Sequence, residues 1–249
     1  MKATLLGHYG TDLDIVNAAR VSFSQKSEWD TPQVWTEEGQ GFIDGPTVLK
    51  QKDANLIEYL ARGMPKSEWE ATILDIMRNE DYEPSDVQRI VSGLMNMAQH
   101  WVPFTHNIVT LHMVAPVPIA RQCFKHKVGF TESEESRRYI SSTPTLFIPD
   151  EFRAKADNVK QGSGGKHEKS WEWQALYKRQ CNQAIYTYEA MLADGIAPEQ
   201  ARFILPQGVE VEWIWSGNIA SFARYYNQRR DVHAQKESQD LAKMVGDII

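Results

Sequence analysis

The sequence predicts a fold of the α+β class in which helices outnumber strands. Most of the chain carries apolar residues at helical spacing, bounded by Asp, Pro and Gly residues that start or stop helices. A β-branched run at residues 108–114 is typical of a strand, and VEVEWIW at 209–215 is a second candidate. Helices therefore dominate, with a few strands in the centre, which is the pattern of an α+β protein.

The N-terminal half is predicted to be helical outside one long loop. The first helix begins at DLDIVNAAR, where Asp12 or Asp14 can cap it. Residues 24–48 are rich in Gly, Pro and charge and are expected to form a loop. A second helix covers residues 52–65 and stops at Gly-Met-Pro, and residues 66–99 are expected to form two more helices.

The C-terminal half holds the strands and the longest helix. Two prolines end the strand at 108–114, and a helical turn is expected at 120–125. A long helix is expected over residues 170–195 and a short one over 197–206, each ended by Gly or Pro. One or two final helices are expected from residue 213 to about 245.

The composition of this 249-residue chain indicates a globular protein that does not bind nucleic acid. A hydrophobic fraction of 42% and a charged fraction of 24% are ordinary for such proteins. Proteins that bind nucleic acid usually carry excess positive charge, whereas the net charge here is -6. The N-terminal segment is too polar for a signal peptide, and no apolar run is long enough to cross a membrane. We expect a cytoplasmic protein without membrane contact.

The two cysteines, Cys123 and Cys181, form no CxxC and no zinc-type spacing, so no metal site is expected. Cys123 lies in a stretch dense in functional side chains, which raises a nucleophilic role. A small, semi-buried thiol is the commoner state of a free cysteine and is favoured here. The motifs GxGxxG, GxxxxGK[ST], GxSxG and HExxH are absent, so a bound dinucleotide would not use a Rossmann fold.

The segment KHKVGFTESEESRRY at residues 125–139 combines cations, carboxylates, hydroxyls and an imidazole. Ser136, Arg137 and Arg138 are suited to a phosphate, because arginine gives forked, charge-assisted hydrogen bonds and serine adds a short hydroxyl donor. Glu134 would instead accept from donors on a sugar or base. The lysines and histidine at 125–127 form a second cationic group. A solvated loop of mixed charge is the alternative.

Two further patterns lie in the C-terminal part. A polar and aromatic set recurs at helical spacing, and its stretch from Asn218 to Arg229 spans about 16 Å, which suits a long ligand, with an aromatic core as the alternative. Its members are Asn218, Phe222, Tyr225, Arg229 and His233. Arg202 lies in the apolar segment ARFILP and needs an anionic or carbonyl partner, which could be a ligand or a structural salt bridge.

These patterns together resemble the flavin-dependent thymidylate synthases. The family hallmark is an Arg-His-Arg triplet, an Asn-Glu pair and then Ser-x-Arg-Tyr, and this chain has Lys-His-Lys, Ser-Glu and Ser-Arg-Arg-Tyr between residues 125 and 139. Blocks similar to those of the family recur in family order along most of the chain. They read NAARVSFS, LIEYLARG, PFTHN, APVPIARQCFKHK, ARFILP and RRDVHAQKE.

The resemblance implies one domain over residues 1–249, with a helical insertion at 66–100. It implies helices packed around a small, mostly antiparallel central sheet. The implied reaction makes dTMP from dUMP with bound FAD, methylenetetrahydrofolate as carbon donor and NADPH as reductant. The implied assembly is a homotetramer that holds FAD and nucleotide between subunits.

The resemblance also assigns site residues by position. The implied dUMP site consists of Gln122, Lys125, Glu134, Ser136, Arg137, Arg138, Arg202 and Arg229. The implied FAD contacts are Ser22, Lys125, His126, Lys127, Glu134, Asn218, Arg224 and His233. Arg229 matches the catalytic arginine beside the uracil ring, where its permanent charge would stabilise negative charge on the N3–O region.

Several positions depart from the family pattern. Lys125 and Lys127 replace two arginines and lose their bidentate geometry. Ser133 replaces an asparagine, and Thr105 stands where many members have glutamate. Ala220 and Arg224 stand where Arg and Asn are common, which suggests that one cation has moved by a helical turn. These changes keep two alternatives open: a related enzyme that makes another 5-substituted pyrimidine nucleotide, such as hydroxymethyl-dUMP, or a silent nucleotide-binding homologue.

Overall fold

The structure, a computed structural model, describes residues 1–36, 41–64, 66–79, 81–95, 97, 99–156 and 162–249. The contacts among these residues divide the chain into two compact units. Unit 1 comprises Met1–His8 and Ile108–Ile249, and unit 2 comprises Tyr9–Asn107. The single domain over 1–249 and the inserted character of residues 66–100 stay predictions.

The helices and strands have the following bounds. The strands are β1 (Lys2–Tyr9), β2 (Gln33–Trp35), β3 (Phe42–Asp44), β4 (Ile108–Pro116), β5 (Phe130–Glu134) and β6 (Glu210–Asn218). The helices are α1 (Asp12–Arg20), α2 (Gln51–Arg62), α3 (Lys66–Arg78), α4 (Pro84–Met95), α5 (Val117–Cys123), α6 (Ser170–Ala193), α7 (Pro198–Ala201), α8 (Ile219–Arg229) and α9 (Lys236–Gly246). Short 3-10 turns cover Val21–Phe23, Val102–Thr105 and Arg202–Ile204. Within the described ranges, no helix is long and apolar enough to cross a membrane.

Unit 1 is built on a sheet with strand order β1-β4-β6-β5. Strand β6 pairs antiparallel with both β4 and β5. Leu111 and Met113 of β4 are fully buried, as are their register partners Trp215 and Trp213 of β6. This period of two fixes which face of the sheet carries the core. The predicted α+β class with a small antiparallel sheet is confirmed.

The sequence predicts the two central strands but misses others. The strand predicted at 108–114 is confirmed as β4, and the candidate strand at 209–215 is confirmed from Glu210 onward as part of β6. The prediction of helix from residue 213 is wrong up to Asn218, because that stretch alternates between buried and exposed residues as part of β6. Strands β1 and β5 are not predicted, and the β2–β3 hairpin lies in residues 24–48, where a loop is expected.

The predicted helices of unit 2 are confirmed, with one change of cap. Thr11, and neither Asp12 nor Asp14, is the N-cap residue of α1. The carboxylate of Asp14 accepts a hydrogen bond from the Thr11 backbone N–H at 2.7 Å, which is one half of a capping box. Helix α2 ends at Gly63, whose φ of 80° lies in the left-handed region that glycine adopts without strain.

The core of unit 1 lies between the buried face of the sheet and helices α5, α8 and α9. The ring of Trp215 contacts Phe222 edge-on at 5.3 Å and Tyr225 edge-on at 4.9 Å. Full burial of such a side chain contributes about 1.5–3 kcal/mol, so these contacts hold α8 firmly against the sheet. The aromatic-core interpretation is therefore correct for Phe222 and Tyr225, each 1% exposed.

Helix α8 ends at Arg229, before the predicted face reaches His233. The carboxylate of Asp231 accepts a hydrogen bond from the backbone N–H of His233 at 2.8 Å. This local turn offers the backbone an alternative to continuing the helix. The prediction that His233 shares one helical face with Asn218 and Arg229 is therefore wrong.

Candidate functional site

Residues from four parts of unit 1 line a cleft of about 760 Å³, which we call the anion cleft. Its polar lining comes from α5, the end of β5, the turn after β5 and the chain around the 3-10 turn after α7. The polar lining residues are Arg121, Glu134, Glu135, Ser136, Arg137, Arg202 and Gln207. Three guanidinium groups and two carboxylates give the lining of the cleft a net charge of +1, although the whole chain has a net charge of -6. The anion cleft is thus suited locally to a small anion.

The guanidinium groups of the anion cleft keep donors free for a ligand. Nη1 of Arg137 donates to the carbonyl of Ser142 at 2.7 Å, and its buried Nε has no partner among the described residues. Nη1 of Arg121 donates to Oε1 of Gln207 at 3.3 Å. Within the described part of the chain, the side chain of Arg202 makes no hydrogen bond or ion pair. The structural salt bridge considered for Arg202 is therefore not seen among these residues.

Glu134 is the carboxyl group with a shifted pKa in the anion cleft. Partial burial raises the pKa of Glu134, the neighbouring Glu135 raises it further, and Arg121 opposes both effects. The positive charge of Arg121 is thus close enough to act on Glu134. The carboxylate is able to accept hydrogen bonds, and its role toward donors on a sugar or base stays a prediction.

Arg138 extends away from the anion cleft, although it follows Ser136 and Arg137 in a turn. Its Nη2 lies 3.4 Å from Oε2 of Glu199, and its guanidinium lies 5.4 Å from the centroid of the Tyr139 ring. The backbone N–H of Arg138 donates to the Ser136 hydroxyl at 3.4 Å. The exposed side chain of Arg138 thus lies against the carboxylate of Glu199 and does not line the anion cleft.

A second group of side chains surrounds Arg229, the last residue of α8. Nε of Arg229 donates to Nε2 of His126 at 2.9 Å, and Nη2 donates to the backbone carbonyl of Gln122 at 2.9 Å. Nη1 makes a longer contact of 3.4 Å with Oε1 of Gln122. We call this group, with Ser238 and Gln235 that contact Gln122, the Arg229 cluster. Every acceptor around the guanidinium is neutral, so its charge is not cancelled within the cluster.

His126 is held in its neutral form by these contacts. Because Arg229 donates to Nε2, that nitrogen must carry a lone pair. Burial lowers the pKa of His126, and the positive charge of Arg229 lowers it further. The ring also meets Tyr225 edge-on at 5.1 Å, which fixes its plane.

Acidification is expected to destabilise the protein through His126. The folded-state pKa lies below the ordinary value of 6.5, so the unfolded chain binds more protons in the window below that value. Stability from this group is complete above 6.5 and is lost as the pH falls through the folded-state pKa. Urea unfolding midpoints at about pH 7.5 and about pH 5.5 measure this loss.

The matched variant is His126→Gln, whose amide oxygen can still accept from Arg229 but cannot be protonated. Its unfolding midpoint should depend less on pH than that of the parent over the same window. An equal pH dependence in the two proteins would assign the acid loss to other groups.

Cys123 is a buried thiol rather than a nucleophile. It is 2% exposed, and its sulfur lies 3.7 Å from the hydroxyl of Tyr225. Burial raises the pKa of Cys123 to about 11, so the thiolate is scarce at neutral pH. The favoured interpretation of a small buried thiol agrees with this environment.

The start of α8 carries two residues predicted for the flavin side. Oδ1 of Asn218 accepts the backbone N–H of Ser221 at 2.9 Å and so caps the helix. Nη2 of Arg224 donates to the carbonyl of Val128 at 3.2 Å and contacts the Ser221 hydroxyl at 3.1 Å. Ala220, one turn before Arg224, is only 9% exposed. Arg224 is exposed, and the shift of the cation from position 220 to position 224 stays a prediction.

The remaining flavin-side candidates differ in how much of their charge is free. Lys125 is exposed and has no partner among the described residues, whereas Lys127 forms an ion pair with Glu132. His233 is exposed, with Nδ1 2.9 Å from the carboxylate of Asp231. Lys125 is therefore the lysine of the Lys-His-Lys triplet whose charge is available to a ligand.

Ser22 lies in unit 2, on the 3-10 turn at Val21–Phe23. It lines a groove of about 950 Å³ in that unit. The rings of Tyr59 and His100, stacked at 5.7 Å between centroids, lie on the same groove. Ser22 is thus on an open, largely aromatic and apolar surface of unit 2.

Several polar residues of these sites have no role in the sequence predictions, among them Arg121, Gln235 and Ser238. Arg121 lies within the block APVPIARQCFKHK, but no motif distinguishes it from the arginines named above. Ser238 of α9 and Gln235, which precedes that helix, contact Gln122 from more than one hundred positions away in the chain. Gln235 lies in the block RRDVHAQKE, which assigns it no role. The packing of α9 against α5 brings Ser238 to Gln122, a relation that no local pattern in the sequence reports.

Comparisons with known proteins agree with the resemblance. A sequence model of the family described as "Thymidylate synthase complementing protein" matches residues 47–249. A flavin-dependent thymidylate synthase of Thermosipho africanus is 32% identical over 151 residues, which cover 60% of this chain and 66% of that protein. Another, of Pseudothermotoga lettingae, is 25% identical over 244 residues, or 98% of this chain and 82% of that protein.

A solved structure resembles the fold. It is a UMP/dUMP methylase, PolB, of Streptomyces cacaoi with bound 5-Br dUMP, and it superimposes with a TM-score of 0.67. The two chains are 21% identical, and the match covers 99% of this chain and 88% of the other.

Over the described residues, no group of three or more His, Cys, Asp or Glu side chains could hold a metal ion.

Proposed function

This chain belongs to the thymidylate synthase complementing protein family, and from that membership we propose that it converts dUMP to dTMP by flavin-dependent reductive methylation. The curated relatives that it resembles are named flavin-dependent thymidylate synthases. One observation carries the proposal: unit 1 contains both a positively charged cleft and a guanidinium surrounded by neutral acceptors. The cleft suits a nucleotide phosphate, and the guanidinium suits a ring that gains negative charge.

The anion cleft would bind the phosphate of dUMP. Arg202 has no internal partner, and Arg137 keeps donors beyond its contact with Ser142, so both can donate to phosphate oxygens. The Ser136 hydroxyl would add a short donor. Arg138, which lies against Glu199, and Lys125 are outside the lining of the cleft, and their place in the dUMP site rests on family membership alone. Glu134 would accept from donors on the sugar or base.

Arg229 would act on the uracil ring. Its guanidinium stays protonated at any working pH, so it can stabilise negative charge on the N3–O region of the ring. That charge makes C5 of the uracil a better nucleophile toward the one-carbon unit. No thiolate is required, which agrees with the buried state and raised pKa of Cys123.

The donors of this chain fit a flavin dinucleotide. Its diphosphate carries two negative charges, and Lys125 and Arg224 are two cations without a carboxylate partner in the described residues. The residues that would hold FAD are Ser22, Lys125, His126, Lys127, Glu134, Asn218, Arg224 and His233. When bound, FAD would carry reducing equivalents from NADPH to the reaction.

Other parts of the proposal follow from family membership alone. NADPH would be the reductant, and methylenetetrahydrofolate would be the carbon donor. The working assembly would be a cytoplasmic homotetramer with active sites shared between subunits. The single domain and the inserted helices at 66–100 belong to the same proposal.

The test of this function uses the purified protein reconstituted with FAD. The flavin absorption band should bleach when NADPH is added without oxygen. The addition of dUMP and methylenetetrahydrofolate should then give a nucleotide whose mass is that of dTMP. A mass equal to hydroxymethyl-dUMP would replace the proposed product with that alternative. A protein that retains no FAD and gives no product would instead be a silent homologue.

A further inference from the structure

The guanidinium of Arg229 is held on one side and free on the other. Arginine has five N–H donors, and three of those of Arg229 contact His126 or Gln122. The remaining two lie one on each terminal nitrogen. Gln122 supplies two of the three acceptors, through its backbone carbonyl and its side-chain Oε1. The position of Arg229 therefore depends on the orientation of one amide.

Both the oxygen and the nitrogen of the Gln122 side-chain amide are hydrogen-bonded, one to a residue of α9 and the other to the residue that precedes α9. Oε1 of Gln122 accepts the Ser238 hydroxyl at 2.8 Å, and Nε2 donates to Oε1 of Gln235 at 2.8 Å. If the amide were reversed, its N–H groups would face the N–H groups of Arg229, and its oxygen would face that of Gln235. Ser238 and Gln235 thus favour the orientation that presents an acceptor to Arg229.

Ser238 is rigid because α9 is part of the core. The side chain is 3% exposed, and Leu241, Ala242 and Val245 of the same helix are fully buried. At the other end, Nε2 of Gln235 donates to Glu237 at 2.9 Å. The buried hydroxyl of Ser238 is therefore the firmest point of this network.

We propose that Ser238 is a positioning residue, which holds the amide of Gln122 so that Arg229 presents its two free N–H groups to the substrate ring. This rests on the proposed function of Arg229. Ser238 does not touch the substrate and acts only through Gln122. Without its hydroxyl, the amide of Gln122 loses a donor to Oε1 and can turn, and Arg229 loses one of its acceptors.

The test compares Ser238→Ala with Ser238→Thr in the FAD-reconstituted protein. The alanine variant should lower kcat about tenfold, the effect of one net hydrogen bond, while the Kd for dUMP by calorimetry changes less than about twofold. The threonine variant keeps the hydroxyl and should recover most of the rate. Ser170→Ala is the matched control, since Ser170 is equally buried but accepts from the backbone of Phe152.

A second measurement does not depend on turnover. The Arg229 Nε–H signal in nitrogen-15 NMR, assigned by its absence in Arg229→Lys, should exchange faster with water in Ser238→Ala than in the parent. Gln235→Ala, at an exposed position, should have the same effect to a smaller degree and covers the case in which Ser238→Ala does not fold.

The outcomes separate the two proposals. If the parent makes no dTMP, the proposed function fails, and the exchange of the Arg229 signal still decides the role of Ser238. Unchanged exchange and kcat in Ser238→Ala, or an equal loss of kcat in Ser170→Ala, would overturn the positioning role.

Discussion

Replacement of Arg229 by alanine is expected to lower kcat for dTMP formation by about 10²–10³-fold, while dUMP still binds. The guanidinium is surrounded by neutral acceptors, so its charge can act on a ligand. A charge that develops on the ring during the reaction gains most from such a group, because the group is already oriented. The Kd for dUMP should rise much less than kcat falls, since the phosphate contacts of the anion cleft remain. Single-turnover kinetics and calorimetry measure the two effects separately.

Two variants control this prediction. Arg230→Ala removes the next arginine, which is exposed and lies 5.2 Å from the Tyr226 ring, and it should leave kcat near that of the parent. Arg229→Lys keeps the charge but loses the planar fork, so its rate should lie between those of the parent and the alanine variant. Near-normal turnover in Arg229→Ala would refute the role given to this residue.

Periodicity in the sequence is enough to predict the elements that carry their own local pattern. The strand at 108–114 is a run rich in β-branched and apolar residues, and α2 has both an apolar face and a glycine stop. Strands β1 and β5 lack such a pattern because each is mostly exposed along its length. Their pairing is decided by the neighbouring strand, which sequence periodicity does not report.

In the candidate site too, residues that are adjacent in the chain can be predicted together, whereas residues that only the fold brings together cannot. Ser136 and Arg137 are adjacent in the chain, and their suitability for phosphate follows from side-chain chemistry alone. Arg202 joins them in the anion cleft from 65 positions beyond Arg137. Its apolar surroundings in ARFILP predict only that it needs a partner, and the family resemblance is what assigns it to the nucleotide. Arg121 is missed because its value comes from facing Glu134 across the fold, a relation that no spacing along the chain encodes.

The two lysines of the Lys-His-Lys triplet differ in the structure in a way that neither the sequence pattern nor the family resemblance predicts. In the sequence they are equivalent replacements for arginine. In the structure Lys127 is paired with Glu132, while Lys125 is exposed without a described partner. Because Lys127 is already paired with Glu132, Lys125 and Arg224 are the flavin-side cations that remain available to bind a cofactor phosphate.

Replacement of Arg202 by alanine is expected to raise the Kd for dUMP by about 10–100-fold, the usual worth of a charged hydrogen bond. Arg202 makes no contact with an acceptor among the described residues, so its donors are available to the phosphate. For the same reason its removal leaves no internal group unpaired, and the unfolding midpoint should not change. Because the contact is made equally before and during the reaction, kcat at saturating dUMP should stay close to the parental value.

Competition by inorganic phosphate and one matched variant provide the checks on this assignment. Inorganic phosphate should compete with dUMP in the parent and compete less well in Arg202→Ala, because both anions would use the same charge. Arg179→Ala, which removes an exposed arginine of α6 outside the anion cleft, should leave the Kd unchanged. If Arg202→Ala lowered kcat without weakening dUMP binding, Arg202 would act on the reacting ring instead, and the anion cleft would lose its main phosphate donor.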